Sequence, residues 1–135
     1  MRGFRTLLAA LPVFLVSAIT AWGHHSFAAE YDGEKFVTMK GTVVKIDWQN
    51  PHMFFYMDVT NGQGEVEHWK FEGFPPNMLV RQGWKKDESL KPGDHISVTG
   101  WLARSGEKLA HSREITWEAD GHKLLSGPPA GTGGN

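Results

Sequence analysis

Between Phe36 and Trp117, glycine and proline break the chain every few residues, and the stretches between them alternate apolar with polar side chains. That pattern builds short strands joined by tight turns and leaves no room for long helices. In FVTMKGTVVKIDW, residues 36–48, Val44, Ile46 and Trp48 alternate with Lys45 and Asp47, while Val37, Met39, Gly41 and Val43 run in the opposite phase. A phase change beside a glycine predicts a β-bulge or a sharp bend. HMFFYMDVT, residues 52–60, places Met53, Phe55, Met57 and Val59 on one face and His52, Phe54 and Tyr56 on the other. NGQG marks a hairpin, and EVEHWKFEG follows it with Glu67, Trp69 and Phe71 in phase. FPPNMLVRQGW, residues 74–84, opens on paired prolines and meets a stopping glycine at Gly83, as a short helix does. HISVTGWLAR and KLAHSREITW supply two further strands, and ADGHKLL a short added hairpin.

Strand, strand, strand, short helix, strand, strand is the order of an OB-type barrel, in which the helix sits between the third and fourth strands. The expected fold is all-β: a small OB-like five-stranded antiparallel barrel with one short helix, occupying residues 24–125. An open antiparallel sheet or small sandwich is the rival arrangement. Val44, Ile46, Met57, Trp69, Phe71, Ile96, Val98 and Ile115 are the expected core. The tail SGPPAGTGGN, residues 126–135, is expected to be disordered.

The first 23 residues read as a signal peptide. Arg2 and Arg5 form a basic start, Thr6 to Thr20 is uncharged and apolar, and Ala21, Trp22 and Gly23 put small residues at −3 and −1 of a cleavage site. The apolar run is too short for the roughly 20 residues of a membrane-spanning helix. Cleavage after Gly23 leaves His24 as the first residue; cuts after Ala18 or Ala28 also meet the small-residue rule, and the second would remove His24 and His25. The expected location is periplasmic or secreted, with membrane contact only through the signal peptide.

Removing Arg2 and Arg5 takes the 14 basic side chains to 12, against 15 acidic ones, so no basic surface for nucleic acid remains. With no cysteine in the chain, any metal site must use nitrogen, oxygen or thioether ligands.

HHSFAAEYD after a signal peptide, KGTVVKIDWQNPH, WKFEGFPPNMLVRQGW and SLKPGDHISVTGW together resemble a family of small exported bacterial proteins catalogued as a domain of unknown function. The likeness covers about residues 24–125. It implies a small, exported, mostly β protein and supplies no catalytic residue, so function has to come from the chemistry of the side chains.

An amino-terminal histidine offers its α-amine and ring Nδ1 to one metal, and a further imidazole completes a site suited to copper(II). The α-amine titrates near 8 and can give up its proton to a metal at neutral pH. His24 and His25 are the expected ligands, with the third from His25, His52 or His111; the expected metal-binding set is His24, His25 and His52. A softer site could combine His52 with Met39, Met53 and Met57 near Trp48, and resembles the ligand set of small periplasmic copper chaperones of OB type. Strand phase opposes it, because Met53 and Met57 alternate away from His52, and methionines at this period are ordinary core.

A non-metal alternative uses an aromatic face formed by Phe54, Tyr56 and Trp101, open to a small ligand or to another exported protein. Catalysis has little support: the chain lacks a cysteine nucleophile, a nucleophile elbow, an H-E-x-x-H motif and a phosphate-binding glycine loop. Glu65, Glu67 and Glu72 read as solvated charges. The expected function is therefore binding, of copper or of another small ligand.

Overall fold

A single long strand, β1 (Tyr31–Asp47), organises the sheet. The computed structural model describes residues 27–129, so the apolar run at residues 6–20, the cleavage site, His24, His25 and residues 130–135 lie outside the described part. A one-turn helix, α1 (Phe27–Glu30), leads into β1, and β2 (Phe54–Thr60), β3 (Val66–Glu72), α2 (Pro76–Arg81), β4 (His95–Ala103), β5 (Leu109–Trp117) and β6 (Lys123–Leu125) follow.

The first part of β1 pairs with β4 as far as Thr42, and the part from Thr42 to Asp47 pairs with β2. Gly41 stands at this change of partner. A Cβ there would lie 2.2 Å from the carbonyl oxygen of Asp58, so only glycine allows the strands to come together. The register against β2 slips between Val43 and Lys45, which is the bulge expected from the change of phase.

Sheet order is β3-β2-β1-β4-β5-β6, and β3 also pairs with β5 in parallel through Lys70 with Leu109, Phe71 with Ala110 and Glu72 with His111. The strands thus form a closed, mostly antiparallel ring, with two short helices as the only helical elements described. The hairpin at NGQG forms because the Asn61 side chain accepts the backbone N–H of Gln63 at 2.9 Å and of Glu65 at 3.0 Å. The expected helix is α2, between the third and fourth strands. It buries Leu79 and leaves Met78 and Val80 exposed, and the chain leaves it through Gly83 at φ +94.

The interior joins Met53, Phe55, Met57 and Val59 of the second strand and its approach to Val43, Phe71, Ile96, Val98 and Ile115, with Leu79, Trp84 and Leu90 covering one side. Phe55 and Phe71 stack at 5.0 Å. Ile46 and Trp69 are only partly buried against this core. Val44 is a correction: it is 47% exposed, because the bulge turns Val43 inward and sends the extra residue out. Met53 and Met57 are fully enclosed in the core, as their phase required. The described chain continues past residue 125 as far as residue 129. Ser126 is fully buried, and its carbonyl accepts the Phe74 N–H at 2.7 Å.

Candidate functional site

The parallel β3–β5 seam is where polar chemistry is drawn inside. Glu72 ends β3 in the phase opposite to Phe71, which on a two-sided strand would face solvent. Because β5 closes the ring on that side, Glu72 is 7% exposed, contrary to its reading as a solvated charge. A buried carboxyl group is tolerated only with partners, and Glu72 has two. The Tyr31 hydroxyl donates to Oε2, and the Nδ1–H of His52 donates to Oε1. The Ser112 hydroxyl adds a 3.0 Å bond to the Glu72 carbonyl, tying the seam from β5. Burial, and then the Glu72 carboxyl, push the Tyr31 phenol far above its ordinary range, so it remains a donor.

His52 reaches this carboxyl from the loop between β1 and β2, with its side chain 40% exposed. With Nδ1 bonded to Glu72, Nε2 is the ring nitrogen left for another partner. His111, paired in register with Glu72, is 8% exposed and donates Nδ1–H to the carbonyl of Ser112 at 3.0 Å. Burial pulls its pKa below the usual histidine value, with Glu72 pulling the opposite way, so the ring stays neutral. Its imidazole packs edge-on to Tyr31 at 5.2 Å and to Phe27 at 5.3 Å. Gly127 makes room for this packing: a Cβ there would sit 1.9 Å from the Ser112 oxygen and 3.1 Å from His111 Cε1.

The chain comes to the seam at its amino-terminal side. Phe27 rests edge-on against Trp101 at 5.2 Å, in a second aromatic cluster with Tyr31 and Ala103. Arg104 Nε donates to the Ala28 carbonyl at 2.8 Å, and the Arg104 backbone N–H to the Glu30 carbonyl at 2.9 Å. His24 and His25 thus immediately precede a segment anchored beside Glu72 and His111, though neither is among the described residues. Among the described residues alone, no group of three or more histidine, aspartate or glutamate side chains is arranged to hold a metal ion.

The expected aromatic face does not assemble as one surface. Phe54 and Tyr56 do lie together on the outer side of β2, half-buried. Lys70 sits 4.1 Å over the Phe54 ring and Lys45 5.1 Å over the Tyr56 ring, so a cation already lies over each. Trp101 does not face outward with them. It is 4% exposed, covered by Phe27 and by Phe36 at 5.0 Å.

Tyr31 and Glu72 are the members of the site that the residue pattern did not reveal. The available signal for Glu72 was its setting in FEGFPP, a lone acid between two phenylalanines at the end of a strand.

A mostly β chain whose strands bond into a ring around a buried carboxyl group, held by a tyrosine and a histidine, is the class that fold and site define. Residues 13–112 match the family described as "Family of unknown function (DUF6152)", and the chain belongs to that family. No curated protein matches it at significant similarity.

Proposed function

We propose that this is an exported, periplasmic or secreted binding protein whose ligand is a copper-type metal ion. The α-amine and ring of His24 would form the chelate, with His25 and His52 as the further ligands, and bound copper would supply a Lewis-acidic, nitrogen-coordinated centre. The observation that carries this reading is the bond from His52 Nδ1–H to the buried Glu72 carboxyl. A carboxyl on one ring nitrogen is the usual outer partner of a metal-binding histidine, because it fixes the tautomer and aims the other nitrogen. Tyr31 holds that carboxyl from its far side.

Chain length supports the same reading. Three residue steps separate His24 from Phe27, a reach of at most about 11 Å, and Phe27 packs on the ring of His111 beside Glu72. A chelate formed at His24 would therefore start within reach of the seam. The test is the protein recovered after export from cells grown with added copper. An intact mass for residues 24–135 together with bound copper supports the proposal, whereas a chain beginning at Ala29 has lost both histidines and contradicts it.

A further inference from the structure

The linker between α2 and β4, residues 82–94, is fixed at both ends. At its start the Trp84 Nε1–H donates to the Leu125 carbonyl at 2.7 Å. At its end the Gly93 N–H donates to the Val43 carbonyl at 2.7 Å, and the Val43 N–H to the Asp94 carbonyl at 2.9 Å. Between these ties the Ser89 hydroxyl accepts the Lys85 N–H at 2.8 Å, and the chain turns through Asp87 at φ +61, a conformation that aspartate tolerates. A cleft of about 340 Å³ remains between the linker and the second half of β1, lined by Ile46, Trp48, Trp84, Leu90 and Pro92. A second cleft, of about 400 Å³, lies against Tyr56, Met57 and Trp69. Val44 and Lys45 line both, so the two meet at the bulge, where Val44 is 47% exposed. Each volume is at the lower end of the range for small-molecule sites. At the rim of the first cleft stand Lys45, Lys85 and Lys91, with Asp87 the acid among them. Lys45 is held by Asp47 at 2.9 Å, and Lys85 reaches Glu88 only at 3.8 Å, both side chains being exposed. The Lys91 ammonium has no ion pair among the described residues.

We infer that this double cleft binds a medium-chain carboxylate, an unbranched acyl chain with a single negative head. Lys91 and Lys85 take the carboxylate, and Trp48, Trp84 and Leu90 cover the nearer methylenes. The tail crosses Val44 toward Tyr56 and Trp69. Two apolar clefts joined at one point suit a chain better than a compact ring system. Asp87 on the same rim limits the head to one charge, because a second would be repelled by its carboxylate. Exposed ion pairs contribute little, so burial of the chain supplies most of the affinity and the lysines select the sign of the head. None of Tyr31, His52, Glu72 and His111 lines either cleft, so this site is independent of the copper reading.

The experiment titrates the protein, as recovered from expressing cells, with hexanoate, decanoate, decanol and decylammonium, and follows the assigned ¹⁵N resonances of the tryptophan indoles. Decanoate is expected to move the resonances of Trp48, Trp84 and Trp69, and hexanoate only those of Trp48 and Trp84. Each methylene added between the two should strengthen binding by up to about fourfold. Decanol should bind more weakly than decanoate, and decylammonium more weakly still. Replacing both rim lysines, Lys85→Gln with Lys91→Gln, should weaken decanoate about threefold or more, the scale of two exposed ion pairs, and leave decanol unchanged. Val44→Gln, at an exposed position, should reduce the advantage of decanoate over hexanoate. Unmoved Trp48 and Trp84 resonances overturn the inference, and so does equal affinity for decanoate, decanol and decylammonium. A response confined to Trp69 overturns it as well, because the chain would then occupy the second cleft without the lysine rim. The comparison of probes needs no variant, so it decides even if a replacement disturbs the fold.

Discussion

Glu72 and His111 lie side by side in register at the parallel β3–β5 seam, one carrying the only buried acidic side chain among the described residues and the other a buried imidazole. Their neighbourhood follows from ring closure, because neither strand would bury its polar residue without the other. Tyr31 depends on the same seam, since its hydroxyl has Glu72 as its partner.

Removal of that hydroxyl tests how much the carboxyl relies on it. Tyr31→Phe keeps the ring against Phe27 and His111 and deprives Glu72 Oε2 of its donor. The expected cost is about 1–3 kcal/mol in denaturant unfolding, the range for a buried polar group left without a partner. A loss under about 0.5 kcal/mol would show that water replaces the hydroxyl and that the carboxyl is less enclosed than its burial indicates.

The third strand should show a graded interior. Phe71 is 1% exposed and stacked on Phe55, whereas Trp69 is partly buried and bonds through Nε1 to Glu67 at 3.0 Å. Phe71→Ala is expected to cost about 3–5 kcal/mol. Trp69→Ala should cost clearly less, although tryptophan is the larger side chain. Equal losses, or a larger one at Trp69, would place the core boundary elsewhere on this strand.

Strand content, turns, the bulge and the helix between residues 74 and 84 were legible because each is written in local alternation and in glycine or proline. Met53, Phe55, Met57 and Val59 fall inward as their phase requires. Val44 was misplaced because a phase change shows that a bulge exists without showing which residue it expels. Glu72 and Trp101 were misread for another reason. A strand in a closed ring has neighbours on both sides, and α1 with Phe36 covers an outer face that alternation alone leaves open. Long-range closure of that kind has no local signature. His52 was legible as a candidate, but the carboxyl that orients it was not.

Acid should act on a half-buried clasp beside the seam. Lys108 at 2.9 Å, then Trp69 and Asn61, bond to the charged form of Glu67 and hold its carboxyl down at about 2, against an ordinary 4.5. A depressed folded-state value means that the stabilisation is present above about 4.5 and is lost as pH falls through about 2. Side-chain carboxyl NMR should therefore find the Glu67 midpoint near 2, and Lys108→Ala should move it up toward 4.5. A midpoint already above 4 in the unaltered chain would mean that Lys108 does not hold this contact in solution.

The central claim is that the metal is bound by a free α-amine together with imidazoles, and copper(II) titration of two chains tests it most directly. One begins at His24; the other carries a single added glycine before it, which turns the His24 amine into an amide and changes nothing in the described ring. The account predicts that the chain beginning at His24 binds one copper(II) with a nitrogen-dominated spectrum, and that the extended chain binds at least about tenfold more weakly, a difference of about 1.4 kcal/mol or more. Equal affinity for the two chains would contradict it.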